Sequence, residues 1–107
     1  MKHYIKPASL EYQTGAVKGF TGKGLIALKN GGLKMIKVDA HAIYPIHTHP
    51  QKTEFIFVLE GSPTITIADE RFEGVKEDFF TLPTGVPHGI ENNTDQSCTL
   101  LVGAINN

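Results

Sequence analysis

In its middle the chain reads Pro45-Ile-His47-Thr-His49-Pro-Gln-Lys-Thr-Glu54-Phe-Ile-Phe-Val-Leu-Glu-Gly61, a stretch with three potential metal ligands. His47 and His49 are two residues apart, so both imidazoles project from the same face if this segment is extended. Glu54 follows after a break that contains proline. A turn at residues 50–52 would make the two stretches adjacent antiparallel strands. The carboxylate is then expected beside both imidazoles.

A fourth ligand is offered further along the chain. The segment Pro83-Thr-Gly-Val-Pro-His88-Gly-Ile-Glu-Asn92 contains His88, held by a turn that is rich in proline and glycine. Three neutral imidazoles and one carboxylate suit Mn, Fe, Co, Ni, Cu or Zn, and they fit Ca or Mg badly. The sequence therefore predicts that His47, His49, Glu54 and His88 bind a divalent transition metal, whose identity these residue types leave open.

These two stretches give the chain a resemblance to the small single-domain cupins. The first cupin motif, G-x5-H-x-H-x3,4-E-x6-G, is matched at His47, His49, Glu54 and Gly61, and the second motif, G-x5-P-x-G-x2-H-x3-N, is matched at Pro83, Gly85, His88 and Asn92. The resemblance covers roughly residues 30 to 103 and implies a jelly-roll barrel, a metal site at the matched His and Glu positions, and a tendency to form dimers.

The opening glycine of each motif is replaced. His41 stands at the first of these positions and Glu77 at the second. Glycine adopts positive φ angles without steric cost, so the turns at both positions must be built from other residues.

Length and composition indicate one domain. The chain has 107 residues, of which 40% are apolar, and this suits a single core. We expect edge strands and loops in residues 1–30 and the conserved barrel core in residues 31–105.

Charge and cysteine content limit the partners. The formal net charge is -1, and the scattered charges create no field that would attract nucleic acid or an anionic membrane. A single cysteine cannot form an internal disulfide, and no long apolar segment is present. We therefore expect a cytoplasmic protein that binds neither nucleic acid nor membranes.

Short apolar segments separated by Gly, Pro and Asn predict roughly eight to ten strands and no helix, which is typical of an all-β sandwich or barrel. The clearest segments are residues 24–29, 33–42, 64–68, 79–82, 88–92 and 98–105, with turns at residues 30–32 and 69–71.

The strand after Glu54 is apolar on both faces. Ile56 and Val58 share the face of Glu54, while Phe55, Phe57 and Leu59 occupy the opposite face. A half-exposed strand would be polar there, so we expect this outer face to be covered. The cover is either a second subunit, giving a homodimer, or the first thirty residues.

Other candidate residues have simpler interpretations. His3 and His41 are interpreted as surface or packing residues, and Cys98 as a small buried apolar residue. Tyr44 either lines the pocket or packs at a strand end. Asn92 either lines the pocket or forms a turn.

Three functions remain open. The first is a metal-dependent enzyme, an oxygenase or an isomerase acting on a small oxygenated molecule, because a six-coordinate ion with four protein ligands keeps two open positions. The second is a sensor module that binds a small molecule or a metal. The third is a β-barrel with a purely structural metal. Catalytic residues beyond the ligands are not identified by the sequence.

Overall fold

A computed structural model describes residues 2–107, and this part of the chain folds into strands with one short 3₁₀ helix. The helix is Pro7–Ser9, and the strands are β1 Gln13–Thr14, β2 Phe20–Leu28, β3 Gly31–Val38, β4 Ile43–His47, β5 Lys52–Glu60, β6 Thr64–Ile67, β7 Glu70–Glu73, β8 Phe79–Leu82, β9 His88–Glu91 and β10 Cys98–Asn106. The all-β prediction is confirmed. No helix in residues 2–107 is long and apolar enough to cross a membrane.

The strands form two sheets in which the pairings are antiparallel. The six-stranded sheet has the order β1-β2-β3-β10-β5-β8, and the four-stranded sheet has the order β4-β9-β6-β7. Strands that are neighbours in sequence therefore often lie in different sheets, as in a jelly roll.

The core lies between the two sheets. Ile56 and Val58 on β5 are fully buried, as is Ile65 on β6 of the other sheet. Alternate residues of a strand point to the same side, so the burial of Ile56 and Val58 confirms the predicted inner face of β5. The remaining buried apolar residues are Phe20, Val38, Leu82, Cys98 and Leu100.

Some strand boundaries differ from the prediction. Strand β2 begins at Phe20 rather than at residue 24, and its hairpin turn to β3 uses residues 29 and 30 rather than 30–32. Strand β7 lies where a turn was expected at residues 69–71. Its sequence, Glu70-Arg-Phe-Glu73, has one apolar side chain, so the strand depends on pairing with β6 rather than on its own pattern.

One predicted pairing is wrong, and it concerns the candidate site. Strand β4 pairs with β9 in the four-stranded sheet, whereas β5 pairs with β10 and β8 in the other sheet. Residues 48–51 therefore connect the two sheets instead of forming a hairpin. The histidines and Glu54 meet because the two sheets face each other.

The two residues that stand in place of the motif glycines adopt the backbone conformation that glycine favours. His41 has a φ of 63° and Glu77 a φ of 73°, in the left-handed region that is costly for residues with a Cβ. Gly61, which is retained, has a φ of 90°, and a Cβ there would lie 2.7 Å from Sγ of Cys98. The turns thus keep their shape at 41 and 77 despite the substitutions.

The outer face of the six-stranded sheet is only partly covered. Phe55 and Phe57 are half-buried, and Leu59 is the extra residue of a β-bulge against β10. On the same face Phe79 is 60% exposed and Ile105 is 55% exposed. A groove of about 430 Å³ on this face is lined mainly by apolar side chains of β2, β3, β5 and β10.

The N-terminal segment reaches the β2 edge of this face. The ammonium group of Lys23 donates to the carbonyl oxygens of Pro7, at 2.6 Å, and Leu10, at 3.3 Å, and it lies 4.4 Å from the centre of the Tyr12 ring. These contacts leave Lys23 only 9% exposed. The segment therefore covers Lys23 and leaves Phe79 and Ile105 exposed.

Candidate metal centre

A β-bulge places His47 at the site. Tyr44 pairs with Ile90 and His47 with His88, so strand β4 has one residue more than β9 between the two pairs. Without this irregularity, residues 44 and 47 would point to opposite faces. Both side chains line the interior cavity, and their rings lie 4.7 Å apart. The bulge contains Pro45, whose carbonyl oxygen accepts a hydrogen bond of 2.8 Å from Nδ1 of His47.

His88 is the first residue of β9 and the cross-strand partner of His47, with the ring centres 4.4 Å apart. Its Nδ1 lies 3.1 Å from the carbonyl oxygen of Val86. A carbonyl oxygen only accepts, so Nδ1 carries the proton in His47 and in His88. When either ring is neutral, its Nε2 therefore keeps a free lone pair, as metal-binding imidazoles require.

His49 follows β4 in the connection between the sheets. Its carbonyl oxygen accepts a hydrogen bond of 3.0 Å from the backbone N–H of Gly85, which has a φ of 74°. The two motifs are thus joined through their main chains. The imidazole of His49 lies 4.7 Å from that of His47 and 5.4 Å from that of His88, measured between ring centres.

Glu54 reaches the histidines from the opposite sheet. Its Oε1 lies 3.1 Å from Nε2 of His49 and 3.2 Å from Nε2 of His88. Lys52, two residues earlier on β5, places its ammonium group 3.8 Å from Oε2. The sequence interpretation did not include Lys52, although the alternation of β5 puts residues 52 and 54 on one face.

The four residues fit a metal ion. One ligand atom from each of His47, His49, Glu54 and His88 lies within 4.8 Å of the others. Two ligands with bonds of about 2.0–2.2 Å lie no more than about 4.4 Å apart, so small side-chain movements would let all four reach one central ion. His88 is 3% exposed, and its Nε2 has no partner with hydrogen-bond geometry among residues 2–107. Buried polar atoms usually have a partner, so this nitrogen fits the role of a metal ligand.

The cluster shifts the ionisation of its members. The Glu54 carboxylate raises the pKa of His88, against the opposing effect of burial. Burial lowers the pKa of His49. The pKa of Glu54 is lowered although burial alone would raise it, because His88, Lys52 and His49 together stabilise the carboxylate. Glu54 is therefore charged throughout the neutral range and available as an anionic ligand.

The cluster opens onto a cavity of about 720 Å³ between the sheets. Its lining is largely aliphatic, and its volume lies in the range of pockets that hold drug-sized molecules. Tyr44 belongs to the lining and packs edge-to-face on Phe20, with the ring centres 5.1 Å apart.

Asn92 forms a turn and does not line the cavity. Its fully buried side-chain amide donates to the carbonyl oxygens of Val38, Asp39 and Gln96 at 3.2, 3.1 and 2.7 Å. Its Oδ1 accepts from the backbone and the hydroxyl of Thr94. The residue therefore ties the end of β9 to the end of β3.

The remaining candidates lie outside the cluster. His3 is exposed. His41 is exposed and contacts Asp95 at 2.7 Å. Cys98 is fully buried, and burial raises the pKa of its thiol, which makes it unreactive.

The fold and the cluster define a jelly-roll protein with a candidate metal centre between its sheets. The sequence profile of the cupin domain matches residues 34–103. The chain belongs to the cupin family, and the resemblance seen in the two motifs is confirmed.

Three similar proteins extend this finding. The chain is 33% identical over 109 residues to germin-like protein subfamily 2 member 4 of Arabidopsis thaliana; the match covers 94% of this chain and 50% of that relative. It is 36% identical over 63 residues to quercetin 2,3-dioxygenase of Bacillus subtilis, covering 59% of this chain and 17% of the enzyme. The solved polyketide cyclase RemF of Streptomyces resistomycificus superposes with a TM-score of 0.87 at 25% identity, covering 98% of this chain and 80% of RemF.

This chain thus spans half or less of the length of the germin-like protein and of the dioxygenase. The activity in the name of the dioxygenase therefore belongs to a longer protein.

Proposed function

We propose that this cupin binds one divalent transition-metal ion through His47, His49, Glu54 and His88 and acts as an enzyme on a small oxygenated molecule. The observation that carries the proposal is the orientation of two imidazoles: Nδ1 of His47 and of His88 is held by a carbonyl oxygen, so Nε2 is the nitrogen that each ring offers to a metal. A bound transition metal would supply a Lewis acid or a redox centre.

The protein's own contribution is to hold the ligands and enclose the substrate. Four protein groups are fewer than the six positions of an octahedral ion, and the cluster adjoins the 720 Å³ cavity. A purely structural metal would need a closed site instead. The cavity therefore favours a functional metal over a structural one.

Among the two enzymatic alternatives, the lining favours an oxygenase. Within residues 2–107, Glu54 is the only carboxylate that lines the cavity, and the three lining histidines all belong to the cluster. Outside the cluster, the lining groups of this part of the chain left to abstract a proton for an isomerase are Tyr44, Lys34 and Lys52, which are weaker general bases at neutral pH than a carboxylate or an imidazole. The similarity to a segment of a dioxygenase supports the same choice.

Metal analysis of the purified protein, followed by oxygen-consumption measurements over small phenols, thiols and diketones, tests this proposal. We expect about one transition-metal ion per chain and oxygen uptake with at least one substrate class. Metal without oxygen uptake, but with tight binding of a small molecule, would favour a sensor module. A protein that takes up no transition metal at neutral pH would contradict the proposal.

We also propose a homodimer formed through the outer face of the six-stranded sheet. Phe79 and Ile105 are more than half exposed there, beside the half-buried Phe55 and Phe57. The N-terminal segment contacts Lys23 at the other side of the sheet. A second copy would remove the apolar surface from water.

We also propose a reducing cytoplasm as the location of the protein, because the chain has only one cysteine.

A further inference from the structure

The charges that line the interior cavity are unbalanced. Within residues 2–107, the Lys, Arg, Asp and Glu residues that line the cavity are Lys34, Lys52 and Glu54. Oε1 of Glu54 faces His49 and His88, so the carboxylate is engaged by the cluster. Two lysines against one carboxylate leave the lining with a formal excess of one positive charge before any metal is considered, and this excess favours an anion. Lys34 is exposed and screened by water, so Lys52 is the more effective of the two lysines.

Lys52 is the lysine beside the cluster. Its Nζ lies 3.8 Å from Oε2 of Glu54, which is too long for a hydrogen bond, and its side chain is 34% exposed. An ammonium group has three donors, and Lys52 makes no side-chain hydrogen bond among residues 2–107. Lys23 differs, because two carbonyl oxygens accept hydrogen bonds from its ammonium group. Lys52 thus has donors available at the cavity.

Most of the remaining lining is apolar or lacks side chains. The aliphatic and aromatic residues include Val17, Phe20, Ile36, Ile90 and Val102. Strand β2 contributes Gly22 and Gly24, and a Cβ at Gly24 would meet no atom within 4 Å. This part of the cavity has room for an uncharged body of a ligand, which gains free energy by leaving water.

We propose that Lys52 binds the acid group of the ligand and that the cavity accepts a small organic acid with an apolar body. This proposal names the substrate class for the proposed function, and it rests on that function only in taking the cavity beside the cluster as the substrate site. Lys52 and the apolar lining belong to the protein chain, so this selection operates without a metal. Lys34, on β3, adds positive charge at a greater distance from Glu54, because β10 lies between β3 and β5.

The experiment uses the chelator-treated 107-residue chain and two probes of equal shape, 3-phenylpropionate and 3-phenylpropionamide. Dissociation constants are measured by ligand-observed NMR and calorimetry. We expect the wild type to bind the acid at least about tenfold more tightly than the amide, because the acid alone gains a charge-assisted hydrogen bond. Equal affinities for the two probes would overturn the inference.

Lys52→Met keeps the aliphatic stem and removes the charge. It should reduce acid binding to the level of amide binding and leave amide binding within about twofold. Lys52→Arg, which retains the charge, should keep most of the preference and serves as the test if the Met variant does not fold. Lys37→Met is the matched control, since Lys37 is exposed on β3 and does not line the cavity. An unchanged preference in Lys52→Met, or a loss only in Lys34→Met, would overturn the role of Lys52.

The outcomes separate this inference from the proposed function. If the wild type takes up metal but binds acid and amide equally, the inference fails and the metal site stands. If the protein takes up no metal, yet prefers the acid through Lys52, the inference stands and the proposed enzyme does not.

Discussion

Nε2 of His88 lies 3.2 Å from Oε1 of Glu54, although the two residues belong to strands of different sheets. This contact joins the two motifs across the interior. It also couples their ionisation, since the carboxylate raises the pKa of His88 while His88 helps to lower the pKa of Glu54. Any metal that enters the cluster must displace the proton that this pair favours.

Metal affinity should therefore fall with decreasing pH, and the fall should begin above pH 6.5, the ordinary pKa of histidine. A raised pKa means that His88 is protonated already at a higher pH, where the proton competes with the metal for Nε2. Glu54, with its lowered pKa, stays ionised over this range. Competition titrations with a chromophoric chelator at several pH values measure the effect. An affinity that is constant between about pH 5 and 8 would show that histidines are not the ligands.

His49→Ala removes one imidazole and should weaken metal binding by at least about tenfold. Calorimetry together with metal analysis measures the change. His41→Ala is the control, because His41 is exposed, pairs with Asp95 and lies outside the cluster. Full metal content in a His47→Ala, His49→Ala double variant would refute the assignment.

Chelation should lower the melting temperature. A metal that binds only the folded chain stabilises it by RT ln(1 + [L]/Kd), which is about 4 kcal/mol at a thousandfold excess over Kd. For a domain of this length that corresponds to a shift of more than about 10 °C. Scanning calorimetry with and without chelator measures it, and the double variant at His47 and His49 should show no shift. An unchanged wild-type melting temperature after proven metal loss would mean that the site contributes little to folding.

Phe57→Glu should dissociate the proposed dimer, because it places a charge in an apolar contact. Size-exclusion chromatography with light scattering gives the mass. Ile43→Glu is the matched control, since Ile43 is 55% exposed on the other sheet. If the wild type is monomeric and a variant that lacks residues 2–10 aggregates, the N-terminal segment covers the outer face and the proposed dimer is wrong.

Glu77→Gly should stabilise the protein by about 0.5–1 kcal/mol, because glycine adopts the φ of 73° without the steric cost of a Cβ. Thermal melts compare the variants. Gly61→Ala is the opposite case and should destabilise, because its Cβ would contact Cys98 at a positive φ. A Glu77→Gly variant that melts below the wild type would show that the exposed Glu77 side chain stabilises the turn.

Much of the site could be predicted from the sequence because the relevant signals are local. The cluster was predicted from the spacing of His47, His49 and Glu54 in one motif and from His88 in the other. The alternation around Ile56 identified the inner face of β5. Other features left little local signal. The bulge that turns His47 inward depends on the pairing of β4 with β9, and β7 forms only against β6.

The chain by itself determined which residue types were available: three imidazoles and a carboxylate at family spacings, strands of period two, and two positions where glycine was missing. Only the tertiary structure decided how they meet. A two-residue period states which face a side chain occupies but not which sheet its strand joins, so a hairpin between β4 and β5 was equally consistent with the sequence. Pairing each strand with a partner distant in sequence placed Glu54 opposite the histidines and brought Lys52 to the cavity.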